Sequence, residues 1–235
     1  MSTCIASIRN AAFWNKLDQR ITPFDLLCHP FYKAWTAGEL TQTDLREYAG
    51  DYYHHVAAFP TYLSALHSRL VDGELRRAVL RNLCEEEIEG SAHSDLWLNF
   101  AEGMGGDRDS IREGEPIQEL QDLMLHFRNI AASGTIPAAM ATFYVYESQV
   151  PRVAREKARG LKEMYGADAK TCGYFTLHQT ADVFHSQVWR DQLNNLLDAE
   201  PEAAGEALIA AEAAAKALWT ALDGIERKRQ SAKLN

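Results

Sequence analysis

Apolar residues recur every three or four positions along almost the whole chain, with polar residues between them, which is the pattern of amphipathic helices that bury one face. Segments at about 8–19 (IRNAAFWNKLDQ) and 24–36 (FDLLCHPFYKAWT) predict two short helices, the second kinked at Pro30 because proline cannot donate to the helix ladder. Thr41 or Thr43 caps a longer segment that runs to about Leu70 and bends at Pro60. After Asp72 and Gly73 comes ELRRAVLRNLCEEEIEG, which SAHSDLWLNFAEGM continues or restarts until Gly105 and Gly106 end the run. Residues 107–115 are polar and read as irregular, 116–132 as a helix, and the stretch past Gly134 and Pro137 as one long helix to about Met164. Tyr174 to about Leu197 predicts another helix, and the Ala-rich stretch PEAAGEALIAAEAAAKALWTALDGIERKR closes the chain with a frayed basic tail. No stretch alternates Val, Ile and Thr between turn residues, so the expected fold class is all-α. A four-helix bundle would leave helices spare, which predicts a bundle of about seven helices around a central site, formed by residues 1–235 as a single domain.

Composition narrows the partners. A net charge of -9 sets the surface field against phosphate backbones and anionic lipids, so neither a nucleic acid nor a membrane is expected as a partner. No apolar run approaches the roughly 18 residues of a membrane span, and MSTCIASIRNAAFW lacks the basic-then-apolar order of a secretory signal; a cytoplasmic location is the expectation. Cys4, Cys28, Cys84 and Cys172 show no CxxC spacing and read as reduced thiols rather than a zinc knuckle or a disulfide framework. Small molecules are the expected partners, with a homodimer left open.

Six metal-type side chains change the picture. They form three clusters: Glu86 with His93, Glu147 alone, and His178 with Asp182 and His185 in HQTADVFH. At about 100° per residue, steps of four and seven return to nearly the same helix face, so each cluster can aim at one interior point. Three carboxylates and three imidazoles exceed the needs of one small ion and suit oxidisable metals, which predicts a dinuclear Fe/Fe or Fe/Mn centre that activates O2 rather than a structural zinc. Simpler explanations compete at each cluster. Glu85, Glu87 and Glu89 make a solvated acidic face equally able to explain Glu86, with Glu89 the local competitor for its role. An ion pair with Arg152 or Arg155 explains Glu147, and a half-exposed helix face explains HQTADVFH, although Phe175, Leu177, Val183 and Phe184 argue for burial.

Four segments, HPFYKAW, DYYHHVAAFPTYLSALHSR, YESQVPRVAREKARGL and YFTLHQTADVFH, resemble the family of the Chlamydia protein associating with death domains, a branch of the haem-oxygenase-like dimetal oxidases. The resemblance runs from about residue 20 to 190. It implies a haem-oxygenase-like fold and a self-sacrificing synthesis of para-aminobenzoate, in which O2 and a reductant are co-substrates and the protein supplies a tyrosine ring and a lysine nitrogen. Carried over by motif, the tyrosine of HPFY is Tyr32, the lysine of AREK is Lys157, and the ligands are the same six residues; EEEIEGSAH departs from the family's usual wording, which weakens Glu86 most. Tyr48 and Tyr146, with Tyr52, Tyr53 and Tyr174, are candidates to relay an electron or to serve as alternative rings. From spacing alone, Lys157 stands about 15 Å along the helix from Glu147 and also fits a solvated basic face with Arg152, Arg155 and Arg159. Other readings keep an external small molecule as substrate, either at the metal pair or in the manner of the metal-free thiaminase-like hydrolases and pyrroloquinoline-quinone synthase. A non-enzymatic interaction module is the remaining alternative.

Overall fold

The computed structural model describes residues 10–233, so Cys4 and the first two residues of the expected opening helix lie outside the described residues. Among these the chain is all-α: α1 (Ala11–Ile21), α2 (Pro30–Ala37), α3 (Gln42–Arg69), α4 (Glu74–Glu87), α5 (His93–Gly103), α6 (Arg108–Glu113), α7 (Gln118–Ser133), α8 (Ile136–Met164), α9 (Gly173–His178), α10 (Ala181–Ala199) and α11 (Ala204–Ala232), with short 3-10 turns at Thr22–Phe24, Leu26–Cys28 and Pro201–Ala203. The bundle has the expected character; its extra segments arise where an expected helix breaks in two and where a short helix, α6, forms in a stretch expected to be irregular.

Pro30 does not kink a helix; it begins one. Its ring occupies the first turn of α2, where an amide would lack a partner anyway, and His29 caps that end. Thr41 rather than Thr43 starts α3, through a capping box in which Thr41 Oγ1 accepts from the Asp44 amide (3.1 Å) and Asp44 Oδ2 accepts from the Thr41 amide (2.7 Å). Between α2 and α3 the chain reverses at Gly38, whose φ of 71° is the left-handed region that glycine adopts without a Cβ clash. The 107–115 stretch holds one short helix, α6, capped by Asp107. Pro60 and Pro151 both sit inside continuous helices.

The long α8 is the axis of the molecule. Every residue from Pro137 to Glu147 is buried, because α10, α11, α9 and α2 all pack against it. On the other side, α3 packs on α4, α5 and α7, and α11 reaches back to α1, α2 and α7. The interior is strongly aromatic: Phe31, Trp35, Tyr48, Tyr62, Trp97, Phe100, Phe127, Phe143, Phe175 and Trp189 are fully buried. No helix among the described residues is long and apolar enough to cross a membrane.

Close packing between α2 and α8 depends on Gly160, since a Cβ there would lie 2.9 Å from Trp35 Cδ1 and Nε1. Trp35 is fully buried and has nowhere to retreat. Gly160→Ala is therefore expected to destabilise the fold by about 1–3 kcal/mol, measured as a lower denaturation midpoint; an unchanged midpoint would show that the two helices are not tightly seated.

Candidate dimetal centre

Four of the six candidate ligands lie at helix ends created by two breaks. The first break follows Glu85, Glu86 and Glu87, three carboxylates at the C-terminal end of α4, where the helix dipole disfavours negative charge. The chain then turns through 88–92, with Gly90 at a φ of 81°, and His93 opens α5. At the second break His178 ends α9, and the Thr180 hydroxyl donates to the Leu177 carbonyl, satisfying a terminal acceptor as the chain redirects. Asp182 and His185 then fall in the first turns of α10, while Glu147 comes from the middle of α8.

These breaks sort the residues differently from the helical spacing. Glu86 and His93 do not share a helix, nor does His178 share one with Asp182 and His185. The donor atoms gather instead as two buried triads, Glu86–His93–His178 and Glu147–Asp182–His185, and within each triad they lie within 4.8 Å of one another. The competing solvated faces do not occur: all six are buried, whereas Glu87 and Glu89 are exposed. Arg152 pairs with Asp25 (3.1 Å) rather than Glu147, and Arg155 is exposed.

The surroundings fit a pair of cations. His93 Nδ1 is buried and makes no hydrogen bond although Glu86 Oε2 lies 2.7 Å away, an arrangement suited to two donors converging on one ion. His178 Nδ1 donates to the Tyr174 carbonyl (2.7 Å), which leaves Nε2 free to ligate. His185 Nε2 faces Glu85 Oε2 at 2.6 Å and its Nδ1 faces Asp182 Oδ1 at 3.3 Å, so Glu85 orients the ring from outside the triad. Glu147 accepts from Asn82 Nδ2 (2.9 Å) and from Trp189 Nε1. Burial raises the Glu147 carboxyl to about 8, with the Asp182 and Glu86 charges acting in the same direction against His185. That upward push expresses the need of crowded, desolvated carboxylates for positive charge, which a metal pair would satisfy. Oxygen and imidazole donors match iron or manganese.

Beside the triads lies an aromatic chamber around Lys157. This lysine is buried, so it does not belong to a solvated basic face. Its Nζ stands 4.5 Å from the Tyr32 ring centre and 4.6 Å from that of Tyr48, with Trp35, Tyr52, Trp97 and Phe175 completing the box. Nζ also donates to the Tyr48 hydroxyl, which lies 3.2 Å from that of Tyr32. Burial drives the Lys157 pKa well below the usual lysine value, toward the uncharged amine, and raises those of Tyr32 and Tyr48 well above the usual phenol value, which keeps both hydroxyls protonated. A cavity of about 30 Å³ borders Tyr32, Tyr52, Tyr146, Lys157 and Tyr174. Tyr48 and Tyr52 are 5.4 Å apart between ring centres, the Tyr52 and Tyr146 hydroxyls meet, those of Tyr146 and Tyr174 meet, and the Tyr174 ring stacks on His178 at 3.9 Å. Tyr53 stands apart from this series and packs on His54.

Glu85 and Asn82, which orient the candidate ligands, were not singled out for these roles by spacing. The seven-residue step to His93 singles out Glu86 from the acidic run but gives no sign that Glu85 also turns inward, to His185. The apolar neighbours of HQTADVFH also divide: Phe175 is buried, whereas Leu177, Val183 and Phe184 are exposed, so the burial of that cluster rests on other contacts.

A helical bundle enclosing two carboxylate–imidazole triads defines a metal-dependent oxidoreductase of haem-oxygenase-like fold. The chain belongs to the family of iron-containing redox enzymes, whose model matches residues 46–219. It is 40% identical over 223 residues to the 4-aminobenzoate synthase of Nitrosomonas europaea, covering 91% of this chain and 90% of that protein. The 4-aminobenzoate synthase of Chlamydia pneumoniae is 40% identical over 184 residues, covering 78% of this chain and 82% of its own. Among solved structures, a heme oxygenase-like domain of unknown function from Shewanella denitrificans superposes with a TM-score of 0.81 at 17% identity, covering 94% of each chain.

Replacing Glu85 with Ala is expected to weaken iron binding about 10- to 100-fold while keeping both ions, because the change removes only an orienting partner. His185→Ala removes a donor and should lower the bound iron to about one ion per chain. Chelator competition and elemental analysis read the two effects; full, wild-type-strength loading in both variants contradicts the assignment.

Proposed function

We propose that this protein makes 4-aminobenzoate (para-aminobenzoate) from its own Tyr32 ring and Lys157 nitrogen, with O2 and a reductant as co-substrates and a dinuclear Fe/Fe or Fe/Mn centre held by Glu86, His93 and His178 and by Glu147, Asp182 and His185. The observation that carries this reading is the seating of a buried Lys157 amine, its pKa driven down by desolvation, 4.5 Å from the Tyr32 ring centre. The 40%-identical relatives named 4-aminobenzoate synthase support it. We read residues 1–235 as one cytoplasmic domain, with a homodimer as the assembly to test.

The metal pair, when bound, supplies the redox power to activate O2 and oxidise a phenol. The chain's own residues do the rest. Tyr174, Tyr146, Tyr52 and Tyr48 form a contiguous series from the triad edge at His178 to Tyr32, a path for an electron between the centre and the reacting ring. The aromatic walls desolvate Lys157 and push its pKa down, favouring the unprotonated form able to donate an electron pair to an oxidised ring. Tyr48 bridges the two donors, accepting from Lys157 Nζ and lying in hydrogen-bond contact with Tyr32. The small cavity of about 30 Å³ beside Tyr32, Tyr146, Lys157 and Tyr174 offers room for O2 next to the reacting groups.

Iron-loaded protein exposed to O2 and reductant should release 4-aminobenzoate once per chain and lose mass at residue 32. Tyr32→Phe and Lys157→Gln should each abolish it, and nitrogen-labelled lysine built into the chain should label the product. Product persisting in Tyr32→Phe excludes that ring as the source.

A further inference from the structure

The helix that carries Tyr32 is only eight residues long, too short to hold its own conformation, so its position depends on its anchors. One of them is unusual. The N-cap is His29, fully buried, where a serine, threonine, aspartate or asparagine ordinarily suffices. Both ring nitrogens are engaged: Nδ1 accepts from the Phe31 amide (3.1 Å), and Nε2 donates to Asp223 Oδ1 (3.1 Å) on α11. The ring also stands edge-on to Trp219 of α11, with centres 4.7 Å apart. A short cap would satisfy the helix end and stop there; imidazole reaches through to a second helix. His29, Tyr32 and Asp223 all fall outside residues 46–219, the stretch shared with the family model.

We propose that His29 is a positioning residue whose two-sided contact, to the Phe31 amide and to Asp223, clamps α2 against α11 and so holds the Tyr32 ring over Lys157. This inference rests on the reading of Tyr32 and Lys157 as the ring and nitrogen donors. One tautomer, with the proton on Nε2, serves both contacts. Burial lowers the pKa of His29 while Asp223 raises it, and the neutral ring is the form that can accept at Nδ1. Asp223 is about half exposed, so the outer end of the clamp can be altered without disturbing the core.

The test follows the exposure of Lys157, which needs neither metal nor turnover. Amine-reactive labelling of the full chain, read by peptide mass spectrometry, should be slow at Lys157 in the wild type and about fivefold or more faster in His29→Ala, the opening expected from loss of a helix cap. Asp223→Ala should also speed labelling, and Asp223→Asn, which keeps an acceptor oxygen, should recover most of the protection. Because His29→Ala is a core change, Asp223→Ala with wild-type circular dichroism is the second measure. Product yield in the iron-loaded protein should fall in the order of Lys157 exposure, with iron content unchanged. Labelling at the wild-type rate in both Ala variants overturns the clamp. Faster labelling with Tyr32 intact after turnover in every protein, wild type included, supports the clamp and overturns the functional reading instead.

Discussion

Three carboxylates and three imidazoles placed in an aromatic interior carry a desolvation cost that hydrogen bonds alone offset poorly, and this constraint organises the molecule. Each group lacks bulk water, and each carboxylate raises the cost of its neighbours. Asn82, Trp189, Glu85 and the Tyr174 carbonyl supply directed partners, but the excess of negative charge remains in the centre of the pocket. Two cations would resolve it. On the proposed reading, metal binding and folding would be coupled: ions that supplied redox chemistry would also neutralise the charge that otherwise works against closing α4, α5, α9 and α10 around α8.

α8 connects this charged pocket to the apolar one. Glu147 and Lys157 lie about 15 Å apart along one rigid helix, so the candidate oxidising site and the candidate nitrogen donor keep a fixed separation. Tyrosines on α2, α3, α8 and α9 occupy the space between. The arrangement separates two incompatible needs. Ligands require polar, charge-compensated surroundings, whereas an amine that must stay unprotonated requires aromatic walls and no water. Distance with an aromatic connection meets both.

Much of this was legible in the chain, and the gaps have physical causes. Helical periodicity located the long elements and, among the described residues, the absence of strands, since amphipathic patterning survives whatever the tertiary context. The six candidate ligands come together in the structure, but spacing did not foretell their division into two triads. Spacing arguments assume unbroken helices, and the chain bends at 88–92 and again after His178, which moves His178 to the side of Glu86 and His93. The burial of Lys157 was likewise unreadable from AREK: a lysine among three arginines looks solvated, and only the rings that α2, α3, α5 and α9 bring around it enclose it. The role of Pro30 was misread for a related reason, because a proline that interrupts one helix and a proline that begins another look alike until the cap is known.

Tyr32 is almost wholly enclosed, touching Phe31, Tyr48 and the lysine amine. A chain that surrendered this ring would keep its backbone but carry a hole at the crossing of two helices. Removal of a buried aromatic side chain typically costs about 3–5 kcal/mol, a large part of the stability of an ordinary fold. The spent molecule would thus be marked by its own injury, softened at one spot and so more readily cleared by proteolysis than the intact one.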